Sequence, residues 1–201
     1  MKLLIIRHGE SEADILSVHE GRADFNLTDK GHSQAQAMAD YVSKNYNIDK
    51  IYASPLKRAL QTATHLSEAT GTPIVTNENL MEFNNGLIAG LSWEEADAKY
   101  PKVPSLPIHA AVYEQESKLD FRHRAEYILS KIISENSDDS TIAIVSHGGF
   151  INQLYQAFLQ LPVVSGTFFS TGDTGIHEWL IKGQERYVIR ADSLTHLAIE
   201  M

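Results

Sequence analysis

Two arginines, two histidines and one glutamate stand just beyond short apolar runs in this sequence. Arg7 and His8 follow Leu3-Leu4-Ile5-Ile6, and Arg58 comes shortly after Ile51-Tyr52-Ala53. Glu82 lies past Ile74-Val75-Thr76, and His147 follows Ile142 to Val145 and opens onto Gly148-Gly149. Guanidinium forks match the oxygens of a phosphate, imidazole can attack or transfer a proton near neutral pH, and a carboxyl can serve a leaving group. The set therefore suits phosphoryl chemistry. Paired histidines can also hold a metal, but the flanking arginines would repel a cation. The sequence has no cysteine and no H-x-x-x-H spacing, so the metal reading is set aside.

Such groups act together only if the chain brings them to one place. The runs at 3–6 and 141–145 are continuous rather than alternating, which predicts strands covered on both faces, with further strands at 50–53, 74–76, 176–181 and 187–190. Between them, apolar residues recur at helical spacing in 30–46, in a segment opened by Ser54-Pro55, in 121–136 and in 150–161. Thr28 or Asp29 is a cap for the first of these helices and Ser54 for the second. Residues 11–29 read as a long loop. Residues 84–120 hold three of the six prolines, Pro101, Pro104 and Pro107, and read as a small insertion with one helix near 92–99. The alternation predicts an α/β, three-layer sandwich, a mostly parallel sheet flanked by helices, in a single domain over 1–201. Right-handed crossovers in such a sheet put the carboxyl ends of the strands on one edge, where all five groups emerge.

Composition narrows the partners. The formal net charge of -9 argues against nucleic acid and anionic membranes as ligands, so an anionic substrate needs a local cationic pocket. Without cysteine there is no disulfide and no thiolate catalysis. The apolar run after Met1-Lys2 is too short for a signal peptide or a membrane span, and a cytoplasmic location is expected. The oligomeric state is left open.

Five separated motifs, in order over nearly the whole chain, resemble the histidine phosphatase superfamily, which includes phosphoglycerate mutases. They are Arg7-His8-Gly9-Glu10-Ser11; Leu27-Thr28 with Gly31 and Gln34-Ala35; Ser54-Pro55-Leu56-Lys57-Arg58-Ala59-Leu60-Gln61-Thr62-Ala63; Glu82 with Gly86 and Gly90; and Ser146-His147-Gly148-Gly149. The resemblance implies phosphoryl transfer through His8 as nucleophile. Arg7, Arg58 and His147 would hold the phosphoryl oxygens, Glu82 would act as general acid and base, and no metal or organic cofactor would take part. It also implies a small phosphorylated substrate, touched by Arg7, Arg58, Asp14, Glu20, Gly21, Arg22 and Gly148. Many members carry asparagine and glutamine where this chain has Asp14 and Glu20. Two carboxylates beside the pocket would oppose anion binding unless paired, and Arg22 is the expected partner of Glu20. Hydrolysis of a phosphomonoester is the leading reading. A cofactor-dependent phosphoglycerate mutase is the alternative, and a non-catalytic phosphate-binding protein is a third. The remaining histidines, His19, His32, His65, His109, His123 and His177, read as surface or packing groups, and His196 as structural.

Overall fold

In a computed structural model, residues 1–200 are described; Met201, the last residue of the expected domain, lies outside the described residues. The elements run β1 (Lys2–Arg7), α1 (Glu12–Leu16), α2 (Asp29–Asn45), β2 (Lys50–Ala53), α3 (Lys57–Thr70) and β3 (Ile74–Thr76). They continue with α4 (Trp93–Lys99), α5 (Lys118–Glu135), β4 (Thr141–Ser146), α6 (Gly148–Phe158), β5 (Ile176–Lys182) and β6 (Glu185–Ser193). The strands form one sheet in the order β3-β2-β4-β1-β5-β6. β1, β2, β3 and β4 run parallel, whereas β5 and β6 are antiparallel additions at the β1 side.

The unbroken apolar runs have a direct cause. Leu3 and Ile5 of β1, with Ile142 and Ile144 of β4, join a core built from α5 and α6. Leu4, Ile6, Ala143 and Val145 face the other way, into a core built from α2 and α3. Period-2 alternation of the side chains makes both faces apolar only if neither faces water. This is the three-layer arrangement expected, with β1 and β4 paired at its centre so that Arg7 lies opposite Ser146.

Three local expectations are corrected. Residues 11–29 are not wholly loop, because Glu12–Leu16 form a short helix whose start is closed by the Ser11 N–H donating to the Asp14 carboxylate at 2.8 Å. The helix after β2 begins at Lys57, not at Ser54-Pro55, and the Ser54 hydroxyl is drawn instead to His147. The helix expected from 121 starts at Lys118, where the Ser117 hydroxyl oxygen accepts the Asp120 N–H at 3.0 Å. The helix in the 84–120 segment forms as Trp93–Lys99, capped by Ser92. This segment braces the loop before Gly21: His19 N–H donates to Leu91 O at 2.8 Å, and Gly90 N–H to His19 O at 2.7 Å. Among the described residues no helix is long and apolar enough to cross a membrane.

Candidate active site

His8 leaves β1 at the carboxyl edge and is buried. Its Nδ1 lies 2.8 Å from the carbonyl oxygen of Gly9, which can only accept, so Nδ1 carries the proton and Nε2 keeps its lone pair. Burial holds the imidazole pKa well below its usual value. The Arg58 and Arg7 charges act in the same sense, against a smaller opposite effect of the Gly9 bond. Gly9 is required by packing: a Cβ there would lie 2.5 Å from the Gly31 carbonyl oxygen in the first turn of α2. Its N–H donates to the Thr62 hydroxyl at 3.1 Å, tying the loop to α3.

Both guanidiniums are pinned. Arg58, fully buried, donates from Nη1 to Ala23 O at 3.0 Å and from Nη2 to Gly21 O at 2.8 Å, leaving Nε directed at His8 Nε2 at 3.3 Å. Arg7 donates from Nη1 to Thr171 O at 2.8 Å, and its Nη2 lies 3.4 Å from Asp173 Oδ1. The Arg7 Nε is buried and makes no hydrogen bond among the described residues.

His147 caps β4, and its ring stands 5.1 Å from that of His8. Its Nε2 is 2.8 Å from Ser54 Oγ, whereas its Nδ1 is buried without a partner. Burial, then Arg58 and His8, lower its pKa well below the usual value. Glu82 reaches the same edge from the turn after β3. Its Oε2 accepts the Gly149 N–H at 2.8 Å, at the start of α6, and its Oε1 accepts the Phe83 N–H at 2.7 Å. The Gly149 amide is thereby committed to holding the carboxylate. Gly149 also permits the approach, because a Cβ there would fall 2.6 Å from Glu82 Oε1.

The structure thus brings Arg7, His8, Arg58, Glu82 and His147 together, with Gly148 beside the Arg7 guanidinium. The outer residues divide. Glu20 pairs with Arg58, Oε1 to Nε 3.1 Å, and not with Arg22. The chain turns at Gly21, whose φ is +49°, and Arg22 heads the other way, to Glu116 at 3.8 Å and the Glu82 carbonyl at 3.4 Å. Gly21 contributes its carbonyl to Arg58. Asp14, expected at the pocket wall, spends its carboxylate on Ser11. His177 and His196 are buried structural groups. His177 bonds Tyr155 and Thr171, and His196 bonds Thr174.

A second layer escaped the sequence reading. Arg124 of α5 donates to the carbonyls of Asn79 at 2.9 Å, Met81 at 3.0 Å and Glu82 at 3.2 Å, and forks onto Glu116 at 3.0 and 2.7 Å. Thr171 and Asp173 orient Arg7, and their only sequence signal is the turn-like Thr171-Gly172-Asp173-Thr174-Gly175. No group of three or more metal-ligating side chains occurs among the described residues.

A lone-pair imidazole nitrogen ringed by buried N–H groups can attack an electrophile and hold the oxygens of a tetrahedral anion. Comparison with known proteins agrees with this chemistry. The chain is 27% identical over 203 residues to phosphoserine phosphatase 1 of Hydrogenobacter thermophilus, covering 98% of this chain and 94% of that one. It is 33% identical over 159 residues to a 2,3-bisphosphoglycerate-dependent phosphoglycerate mutase of Cytophaga hutchinsonii, covering 76% of this chain and 74% of that one. The solved structure of a mycobacterial glucosyl-3-phosphoglycerate phosphatase in complex with VO3 superposes with a TM-score of 0.83 at 25% identity, covering 96% of this chain and 98% of that one. The histidine phosphatase superfamily (branch 1) matches residues 3–192, and the chain belongs to that family.

Proposed function

We propose that this protein hydrolyses phosphomonoesters of small metabolites through a phosphohistidine on His8. The observation that carries the reading is the pairing of an unprotonated His8 Nε2 with two buried, unused polar atoms beside it, Arg7 Nε and His147 Nδ1. Buried donors without partners cost free energy in the resting protein, and phosphoryl oxygens supply the acceptors they lack. In the tautomer where Ser54 O–H donates to His147 Nε2, Nδ1 carries a proton with no partner among the described residues, a donor free for a phosphoryl oxygen. His8 Nε2 attacks phosphorus in line. As charge spreads over the equatorial oxygens it is met by Arg7, Arg58 and His147, while Glu82 gives the leaving oxygen its proton. Glu82 then takes a proton from the water that cleaves the N–P bond. The reading is metal-independent and cytoplasmic. The relatives named for phosphoserine and glucosyl-3-phosphoglycerate support a small phosphorylated metabolite as substrate.

Hydrolysis is favoured over mutase action because the 84–120 segment adds little to close the site against water, a single 3-10 turn at Gly86–Ile88 and one short α-helix, α4. The test is turnover of nitrophenyl phosphate and of an alkyl monoester, with acid-labile labelling of the protein. H8A should lose both turnover and labelling, and a labelled H8A would refute the nucleophile assignment. E82Q should lose far more on the alkyl ester, whose alkoxide needs a proton, than on nitrophenolate, which does not. Chelators should leave the rate unchanged. Primer-dependent isomerisation of 3-phosphoglycerate outpacing hydrolysis would establish the mutase reading instead.

A further inference from the structure

The reaction above gives no work to Glu20, yet its carboxylate stands inside the phosphate site. Oε1 is 3.1 Å from Arg58 Nε and bonded to the Ser11 hydroxyl, and Oε2 is 3.6 Å from His8 Nε2. Arg58 cannot turn away to serve a substrate elsewhere, because the Ala23 and Gly21 carbonyls hold its other nitrogens. Its single Nε–H is therefore contested by Glu20 and by any phosphoryl oxygen arriving at His8. An ionised carboxylate and a phosphoryl dianion side by side would repel strongly in this water-poor site. Glu20 is itself confined, between Ser11 on one side and Arg58 on the other, on a loop fastened to the 84–120 segment through His19.

We propose that Glu20 is a specificity-determining residue that takes up a proton when the phosphoryl group binds and donates it as an O–H hydrogen bond to a phosphoryl oxygen. The inference rests on the phosphatase reading and adds to it a built-in preference for acid conditions. No covalent bond changes: one proton passes from solvent to the carboxylate and returns when phosphate leaves. The groups facing Glu20 are Arg58 from α3, Arg7 and His8 from the end of β1, and Ser11 and Asp14 from α1 and its start. Burial raises its pKa above the usual carboxyl value and Asp14 adds to this, against the lowering effects of Arg58, Ser11 and Arg7. A bound dianion pushes in the same direction as Asp14. A glutamine, isosteric with the carboxylic acid, offers the donor at every pH.

Sulfate is the appropriate probe, since its own charge is constant from pH 4 to 8. Calorimetric titration in two buffers of different ionisation heat should show proton uptake on sulfate binding to the wild-type protein near neutral pH. The affinity should fall toward about tenfold per pH unit above the Glu20 pKa. E20Q should take up fewer protons by the amount due to Glu20, lose that slope, and show the same flattening in kcat/KM for nitrophenyl phosphate. Because Glu20 Oε2 lies 3.6 Å from His8 Nε2, the wild-type and E20Q titrations are repeated in an H8Q background, where the difference between them isolates Glu20. Equal uptake and equal slope in the two proteins would overturn the proposal. So would wild-type binding without proton uptake, or no sulfate binding even at acid pH. Absence of turnover at every pH would refute the phosphatase reading instead, while the sulfate titration still decides the role of Glu20.

Discussion

Arg124 is the residue whose loss should separate positioning from chemistry. Its guanidinium bonds none of Arg7, His8, Arg58 and His147, yet it ties the carbonyls of Asn79, Met81 and Glu82 to α5 and forks onto Glu116. It also lies over the Phe121 and Phe150 rings, so a methionine fits the space while removing every donor. Arg124→Met leaves the Glu116 carboxylate, only 10% exposed, with the Asn84 N–H and a distant Arg22. Breaking one side of a buried ion pair costs about 3–5 kcal/mol, and for a chain of this size that lowers Tm by about 10 °C. The Glu82 turn, released on one side, should shift the proposed general acid, and a displacement on the order of 1 Å can cost about a hundredfold in rate. The loss should fall on alkyl phosphates and largely spare nitrophenyl phosphate. Urea unfolding and parallel kinetics on the two substrates read both quantities, and E116Q closes a double-mutant cycle. A stability loss under about 1 kcal/mol, or equal rate losses on the two substrates, would refute the reasoning.

Two further perturbations address neighbouring parts of the same argument. Gly149→Ala places a Cβ 2.6 Å from Glu82 Oε1. It should therefore lower kcat on alkyl esters by about tenfold or more while stability changes by less than about 1 kcal/mol, as paired assays would show. His177 and His196, whose pKa values burial lowers from 6.5 to about 4, bind protons more readily when unfolded than when folded. Their stabilising effect is thus complete above pH 6.5 and is lost as pH falls toward 4, up to roughly 3 kcal/mol each. A urea midpoint that stays flat from pH 7 to 4.5 would contradict this, and H177N should remove part of the slope.

The layers of this molecule were legible to different depths. β1 and β4 could be read because a strand covered on both faces must be apolar at every position, and the residues that follow such a strand must be at the ligand edge. Arg7, His8 and His147 were legible for that reason. Ser54 was misread because serine before proline is an ordinary helix start. Its hydroxyl is claimed by His147, which lies far along the chain and reaches it only when β2 and β4 pair. The partner of Glu20 was misread because Arg22 is nearest in sequence, whereas the left-handed turn at Gly21 sends the two side chains apart. Arg124 was invisible for another reason: it sits next to Ala125 of the apolar stripe and looks like a solvated flank of α5. Its acceptors are backbone carbonyls, which no sequence pattern marks.

The same second layer explains how a chain of formal charge -9 can hold an anion at all. The cations near the site are not free charges. Arg7 faces Asp173, Arg58 faces Glu20, and Arg22 and Arg124 share Glu116. With the positive field largely cancelled before substrate arrives, attraction at a distance is weak, and binding must come from short-range hydrogen bonds already aimed. The carbonyls of Gly21, Ala23 and Thr171 do the aiming, since each fixes a guanidinium without adding charge. At the site the resting protein carries the cost in the buried polar atoms Arg7 Nε and His147 Nδ1, which have no partner among the described residues. In the proposed mechanism that cost is recovered when phosphoryl oxygens arrive, and most fully as their charge grows in the transition state, which is where such donors would accelerate the reaction.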